Sequence, residues 1–316
     1  MEVWSPINFD YKCVKLPQNE QAHFRKGLRD QFPFITKYMD KIDQTEKLHL
    51  KFCKIILGVH SKSSNLAVYA ELGRYPLFID QIILNLKYIK YIQDETNNGL
   101  LKKCYASLMN EQKLFNNCSL LRMKYQLNNL TSNIFTRGIK EFYKRIKIKL
   151  SSCFNMYWHT MLFNDIQNDK RSGNKLRTYR KFKGNIFYEK YLNLTSLENR
   201  KIIAQFRISA HKLKIETDRF TTKNKYIPPE QRLCNKCNMK RTEDEYHFIL
   251  ECPLYSDLRN KLYAKCSKYN QYFNRYKPSE KCIWMFTMEN MQLINHLGDF
   301  LYNSFKLRNA KQQPDI

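Results

Sequence analysis

Glycine and proline are scarce in this chain, which contains 8 and 9 of them in 316 residues. Because both residues concentrate in turns, their scarcity excludes a loop-rich β architecture. Aromatic residues make up 14% of the sequence, which excludes a disordered basic tail, since such tails have few large apolar side chains. A chain of this length can bury a proper hydrophobic core. The sequence therefore predicts a folded, mainly α-helical protein.

Acidic residues are also few: 29 Asp and Glu stand against 55 Lys and Arg, giving a formal net charge of +26. Solubility alone does not require such an excess, which indicates a polyanionic partner. No apolar run reaches the roughly 18 residues that a membrane helix needs. Residues 1–13 contain Glu2 and Asp10 and have no apolar core of the kind found in signal peptides. These features predict an intracellular protein without a membrane partner, in the nucleus or the cytoplasm.

The ten cysteines do not indicate a disulfide framework, because such frameworks are dense and seven of these cysteines are scattered singly along the chain. The other three form the pattern Cys234-x2-Cys237, followed by His247 and Cys252. Four soft or borderline ligands at this spacing are typical of a closed tetrahedral zinc site, and a closed site is structural rather than catalytic. The sequence thus predicts one structural zinc ion in a zinc knuckle. The alternative is a chance grouping of core or surface residues.

The apolar spacing predicts a helical domain over 1–165, a basic helical segment over 175–225, the zinc-binding knuckle over 226–264 and a C-terminal helical segment over 265–316. Polar residues 164–174 are the best linker candidate. Gly58 and Pro76 are placed to end one helix and to begin the next. Helices are predicted at 19–32, 41–57, 76–89, 100–115, 133–150, 152–166, 195–210 and 288–307, and the 41–57 pattern gives an apolar face of Leu48, Phe52, Ile55 and Ile56. Capping boxes at Thr195–Glu198 and Thr242–Glu245 predict the start of the 195–210 helix and of a short helix that contains His247.

Two stretches concentrate basic residues, and the second also contains Tyr179. Cations neutralise phosphates, and exposed aromatic rings stack on the bases of single strands. RNA or single-stranded DNA is therefore the predicted partner, and the alternative is a solvated charged face whose aromatic rings lie in the core. The predicted nucleic-acid-binding residues are Arg137, Lys140, Lys144 and Arg145 in the first stretch and Lys175, Arg177, Tyr179, Arg180, Lys181 and Lys183 in the second.

No catalytic residue is predicted. A polymerase site needs paired aspartates that hold two metal ions, but Tyr38-Met39-Asp40-Lys41 and Phe78-Ile79-Asp80-Gln81 each supply only one. Glycine loops that bind phosphate and Gly-x-Ser-x-Gly motifs are absent from the sequence. His211 is either a further ligand or general base, or an ordinary hydrogen-bonded histidine, and we favour the last. The sequence therefore predicts that the chain by itself is a binding module and not an enzyme.

The segments Arg232–Cys237 (RLCNKC) and Glu243–Arg259 (EDEYHFILECPLYSDLR) resemble the zinc-binding region of non-LTR (LINE-type) retrotransposon reverse transcriptases, which follows the polymerase core. Asp218 departs from the family pattern, which has glycine there and implies a tight turn. Weaker similarities occur in the same order as in the family, at Glu2-Val3-Trp4, His49–Val59, Val68–Leu77 and Phe206–Glu216.

This resemblance implies the C-terminal portion of a reverse transcriptase, without the polymerase and endonuclease active sites. Its role would be to hold element RNA or target DNA during target-primed reverse transcription. The alternative function is a retrotransposon-derived module that docks another protein through its zinc knuckle, or a non-functional gene fragment.

Overall fold

The computed structural model describes residues 33–94, 99–100, 103, 139–164, 175–223 and 225–310. Over these ranges the chain is mainly helical, as predicted, and contains isolated β-bridges but no strand. The predicted helices at 19–32 and 100–115, the linker at 164–174 and Arg137 lie outside the described residues, apart from residues 100, 103 and 164. The α-helices are α1 Pro33–Asp40, α2 Gln44–Leu57, α3 Asn65–Glu71, α4 Leu77–Asp94, α5 Ile139–Asn164, α6 Leu197–Arg207, α7 Lys214–Thr217, α8 Ser256–Tyr269, α9 Pro278–Thr287 and α10 Met291–Asn309.

Residues next to helix α2 in the sequence determine where it begins and ends. The carboxylate of Asp43 accepts a hydrogen bond from the Glu46 amide at 2.7 Å and caps the helix N-terminus. Gly58 has a φ of +64°, and its amide donates to the Ile55 carbonyl. This left-handed conformation favours glycine, and the predicted C-terminal cap is confirmed.

The apolar face predicted for α2 is wrong. Leu48, Phe52 and Ile55 are 67%, 61% and 63% exposed, whereas Leu50 and Leu57 are buried. The buried side of the helix also contains Glu46, whose carboxylate accepts hydrogen bonds from the Tyr69 hydroxyl at 2.6 Å and the Leu77 amide at 2.7 Å. The buried side of α2 thus includes a charged residue, so the spacing of apolar residues alone predicted the wrong side of the helix as buried.

Helix α5 is one continuous element where the sequence predicted two helices separated at residue 151. Phe154 and Trp158 on α5 are fully buried, and the Trp158 indole N–H donates to the Leu66 carbonyl at 3.0 Å. Serines at 151 and 152 lower intrinsic helix propensity, but this packing keeps the helix intact through them.

Helices α6 and α10 pack closely in the C-terminal half. Ser196, rather than the predicted Thr195, caps α6 by accepting from the Asn199 amide at 3.1 Å. Gly298 on α10 permits the approach, because a Cβ there would lie 2.6 Å from the Cβ of Asn199. The Asn199 side-chain amide then donates to Asp299 across the interface at 2.8 Å. Met291–Asn309 was predicted closely in length and position, as 288–307.

Four charged groups are buried together between α3, α6 and the segment joining α5 to α6. Arg207 donates to Glu71 at 2.8 Å and lies 2.8 Å from Glu189. Lys183 pairs with Glu189 and donates to a backbone carbonyl, while the Tyr191 hydroxyl donates to Glu71 at 2.6 Å. Burial disfavours the charge of Glu71, but the Arg207 guanidinium outweighs it and holds the pKa of Glu71 below its usual value. We call this group the Glu71 cluster.

Of the described helices, none is both long and apolar enough to cross a lipid bilayer.

Candidate metal centre and basic surfaces

The first two candidate ligands lie on a tight loop closed by backbone hydrogen bonds. The Cys234 amide donates to the Arg241 carbonyl at 2.8 Å, and an antiparallel bridge joins Leu233 to Thr242. Lys240 turns the loop with a φ of +51°. The Lys236 amide points at the Cys234 sulfur, 3.4 Å away. The loop thereby turns both thiols of the Cys-x2-Cys pair toward one side.

The other two ligands lie on the helical turn that follows. Asp244, not the predicted Thr242, caps this turn, because its carboxylate accepts from the His247 amide at 2.8 Å. Residues His247–Glu251 form a π-helical turn, in which the Cys252 amide donates to the His247 carbonyl at 2.7 Å. Pro253 then starts a new turn leading into α8. This arrangement brings His247 and Cys252 to the same side as the two loop cysteines.

The four side chains form one group. One donor atom from each of Cys234, Cys237, His247 and Cys252 lies within 4.8 Å of all the others, and the Cys237 sulfur is 3.3 Å from His247 Nε2. Cys237 is partly exposed, while the other three are buried. Tetrahedral coordination at ordinary zinc distances places such donors about 3.5–3.8 Å apart. The group could therefore hold a metal ion, with its donor atoms drawn somewhat closer together.

Further polar groups hold the ligands in place. His247 Nδ1 lies 3.4 Å from the Glu251 carboxylate, a partner that orients the ring so that Nε2 faces the other ligands. Arg259 on α8 donates to the carbonyls of Ile249 at 2.7 Å and Cys252 at 2.5 Å. Burial raises the pKa of Cys252 to about 12 when no metal is bound. Hydrogen bonds thus hold both the candidate ligand side chains and the backbone beside them.

His211 lies outside this group, in agreement with the favoured interpretation. Its Nε2 lies 2.8 Å from Glu245, and the Leu213 amide donates to its Nδ1 at 3.4 Å. The nearby Asp218 has a φ of −98°, so the structure has no tight turn that requires the glycine of the family pattern at this position.

Arg177 is not available to phosphates. Its guanidinium donates to both carboxylate oxygens of Glu245, at 2.7 and 2.8 Å, and to Glu216 at 2.5 Å. Arg308 of α10 donates in a similar way to both carboxylate oxygens of Glu243, each at 2.7 Å. These pairs attach the metal-binding segment to the helical body. The nucleic-acid role predicted for Arg177 is corrected to this structural one.

The nucleic-acid-binding roles predicted for Tyr179 and Lys183 are also corrected. The Tyr179 side chain is 0% exposed, so its ring has no face to offer a base, and Lys183 is 2% exposed within the Glu71 cluster. Arg180 is half-buried and donates to the Leu162 carbonyl at 3.3 Å. Lys181 is exposed, with its ammonium 4.6 Å from the centre of the Tyr246 ring, and Lys175 is half-buried. The alternative for this stretch, aromatic rings in the core, is the one that the structure supports.

The predicted basic residues on α5 are more accessible. Lys140 and Lys144 are exposed and lie one turn apart on the helix. Arg145 pairs with Glu141 at 3.3 Å, and neighbouring Lys147 pairs with Asp80 of α4 at 2.6 Å. The two exposed lysines therefore remain candidates for contact with a polyanion.

Sequence reasoning missed a third basic region, on α8 and the turn after it. Residues 258–279 contain six Lys and Arg and no Asp or Glu, a signal that was available in the sequence. The exposed basic and aromatic residues of this region are Lys261, Lys265, Lys268, Tyr269, Tyr272, Arg275 and Lys277, and the first six are here called the α8 surface.

Comparison of the chain with protein-family models, curated proteins and solved structures found no match.

Proposed function

We propose that this chain is a nucleic-acid-binding module, stabilised by one structural zinc ion, that holds RNA or single-stranded DNA. The observation that carries the proposal is the distribution of charge between the interior and the surface. The buried residues include five carboxylates, at Glu46, Glu71, Glu189, Glu243 and Glu245, and five cations, at Lys183, Arg207, Arg219, Arg232 and Arg259.

The interior of the described residues is therefore balanced in charge. The excess of +26 over the whole sequence is therefore not contributed by these ten buried residues. A surface field of one sign attracts polyanions and raises their rate of association. Nucleic acid is the polyanion that such a surface fits best, because phosphates bind Lys and Arg and release condensed counterions.

Zinc is the metal that best fits the candidate centre. Three thiolates and one imidazole are a ligand set of structural zinc sites, and the four protein donors leave no position for a reacting water. When bound, the ion would supply folding energy rather than chemistry. The ligands Cys234, Cys237, His247 and Cys252 would hold it.

The resemblance to LINE-type reverse transcriptases supports a specific setting for this role. The chain would correspond to the region after the polymerase core and would hold element RNA or target DNA while a polymerase domain performs target-primed reverse transcription. The evidence for this setting is the sequence motif at 232–259, which includes the four candidate metal ligands.

Binding should depend steeply on salt and on the α5 lysines. Each neutralised phosphate of a single strand adds about 0.7 to the slope of log affinity against log salt. If Lys140 and Lys144 each contact one phosphate, changing both to glutamine should lower the slope by about 1.4. Fluorescence anisotropy with a labelled 20-nucleotide RNA measures this. Lys47→Gln with Lys51→Gln, exposed lysines of α2, removes the same charge as a control. An RNA affinity independent of salt in the unmodified chain would contradict the proposed function.

Template-dependent DNA synthesis should be absent, because Asp40 and Asp80 each lack a second aspartate beside them. A primer-extension assay with magnesium and deoxynucleotides tests this expectation. Incorporation above the background of a reaction without protein would show that the chain is an enzyme.

Protein docking is a second candidate function, and one observation favours it. Leu48, Phe52 and Ile55 form an exposed apolar face on α2, and Met239 beside the metal ligands is 45% exposed. Exposed apolar groups that lie together often mark contact sites. Serine replacements of Leu48 and Phe52 should leave RNA affinity unchanged under the main proposal. If the unmodified chain binds no nucleic acid, docking becomes the better proposal.

A further inference from the structure

Helix α8 presents three lysines on one side. Lys261, Lys265 and Lys268 are spaced by four and three residues, so they fall within an arc of about 60° on the helix surface. All three are exposed, and none forms an ion pair with another of the described residues. The buried side of the same helix contains Leu262 and Cys266. The lysines are thus a free row of positive charge on a firmly packed helix.

Two exposed tyrosines continue this row at the end of the helix. Tyr269 is 61% exposed and Tyr272 is 52% exposed, in contrast to the buried ring of Tyr179. The Arg275 guanidinium lies 5.8 Å from the centre of the Tyr272 ring and is itself exposed. Exposed aromatic rings beside cations are the two elements of surfaces that bind single strands.

The turn that carries the tyrosines is held by its own hydrogen bonds. The Ser267 hydroxyl donates to Asn274 at 2.8 Å, and the Asn270 side-chain amide donates to the Tyr276 hydroxyl at 3.1 Å. The Tyr272 amide donates to the Asn270 side-chain oxygen at 3.0 Å, and Phe273 anchors the turn in the core. Because these bonds already hold the backbone of the turn, binding does not have to order it, which favours affinity.

We propose that the α8 surface is a binding site for single-stranded nucleic acid, in addition to the α5 lysines. Lys261, Lys265 and Lys268 neutralise consecutive phosphates, while Tyr269 and Tyr272 stack on unpaired bases. The absence of acidic residues from 258–279 gives the surface the charge complementary to a phosphate backbone. A duplex fits less well, because its paired bases offer no free face to the rings. This inference rests on the proposed function and adds a second contact surface, distinct from α5.

The α8 surface is connected to the candidate metal centre. Arg259, on the first turns of α8, donates to the carbonyl of the ligand Cys252 at 2.5 Å. The α8 surface is therefore attached to the metal-binding turn at its N-terminal end, and a zinc ion would hold it in place.

The test compares two variants with a control of matched charge. The first changes Lys261, Lys265 and Lys268 to glutamine, and the second changes Tyr269 and Tyr272 to alanine. The control changes Lys47, Lys51 and Lys62, which are exposed residues on or near α2, to glutamine. Each protein is titrated with labelled U20 RNA, dT20 and a blunt 20-base-pair DNA duplex over a range of salt. Poly-glutamate serves as a polyanion without bases.

The lysine variant should bind both single strands more weakly and lower the salt slope by about 2, from three phosphates at about 0.7 each. The tyrosine variant should lose roughly fivefold or more in affinity for single strands, with the slope and duplex binding unchanged. The control should lose less affinity than the lysine variant. The U20 and dT20 titrations separate RNA from DNA as the preferred strand. Zinc content and circular dichroism confirm that each variant is folded.

The outcomes distinguish a failure of the α8 surface proposal from a failure of the proposed function. If both variants bind as the unmodified chain does, while the Lys140 and Lys144 variant loses affinity, the α8 surface is wrong and the proposed function stands. Equal tyrosine losses with duplex and single strands would overturn the stacking contact. Binding of poly-glutamate as tight as that of U20 would show that charge alone acts. If the unmodified chain binds no nucleic acid, both proposals fail.

Discussion

Protein purified without added metal should contain one zinc ion per chain, and removing that ion should unfold the segment 226–264. Structural zinc in small finger units contributes an apparent binding free energy of about 10–16 kcal/mol near neutral pH. The four ligands lie on a loop and on the helical turn that follows it, so the ion would link the two directly, in addition to the pairs of Glu245 with Arg177 and of Glu243 with Arg308. Elemental analysis gives the stoichiometry. Limited proteolysis and circular dichroism before and after chelation report the loss of structure.

Two cysteines provide a matched pair of variants for this experiment. Cys252 and Cys266 are both 0% exposed, and burial raises the pKa of each thiol to about 12, but only Cys252 belongs to the metal group. Cys252→Ala should therefore lose the zinc and become sensitive to protease across 226–264, whereas Cys266→Ala should keep a full equivalent of zinc. Zinc bound in full by the Cys252 variant would contradict the assigned ligand set.

Glu71→Gln should destabilise the folded chain by about 3–5 kcal/mol, because it removes one partner from a buried ion pair and leaves the two buried cations Arg207 and Lys183 with Glu189 as the one remaining carboxylate of the cluster. Both side chains are almost completely buried. The pKa of Glu71 lies below its usual value of 4.5 in the folded chain. Its ionised form therefore stabilises the fold above that pH, and this contribution is lost as the pH falls through the folded-state pKa. Urea denaturation of both proteins at neutral and acidic pH measures the two effects.

Glu141→Gln is the control for the Glu71 variant. Glu141 also pairs with an arginine, Arg145, but both side chains of that pair are more than 40% exposed. Solvent screens such a pair, so its loss should cost about 0–1 kcal/mol. Equal destabilisation by the two substitutions would show that the Glu71 cluster has no special importance for the fold.

The features that could be predicted from sequence are those determined by neighbouring residues. The spacing of Cys234, Cys237, His247 and Cys252 brings the ligands together because one loop and one helical turn suffice. Gly58 at the end of α2 is a signal of the same local kind, since its own left-handed backbone ends the helix.

The features that could not be predicted depend on partners far along the chain. Lys183 resembles a surface residue in a basic stretch, but the carboxylate of Glu71 lies more than a hundred residues away in sequence and only the fold places the two in one cluster. Arg177 is paired in the same way with Glu245. The exposed face of α2 was misread because the buried side of that helix includes Glu46, whose partners Tyr69 and Leu77 come from other elements.

The contact between Arg308 and Glu243 bears on how the chain could be shortened. Arg308 is in the last turn of α10, yet its guanidinium makes two hydrogen bonds to a carboxylate that is 1% exposed beside the metal ligands. A fragment that ended before α10 would remove both guanidinium bonds and leave this buried carboxylate with the Lys214 amide, 2.8 Å away, but no opposite charge from α10. The smallest excised piece able to fold around a metal ion must therefore extend to the C-terminal end of α10, well past the nineteen positions that contain the ligands.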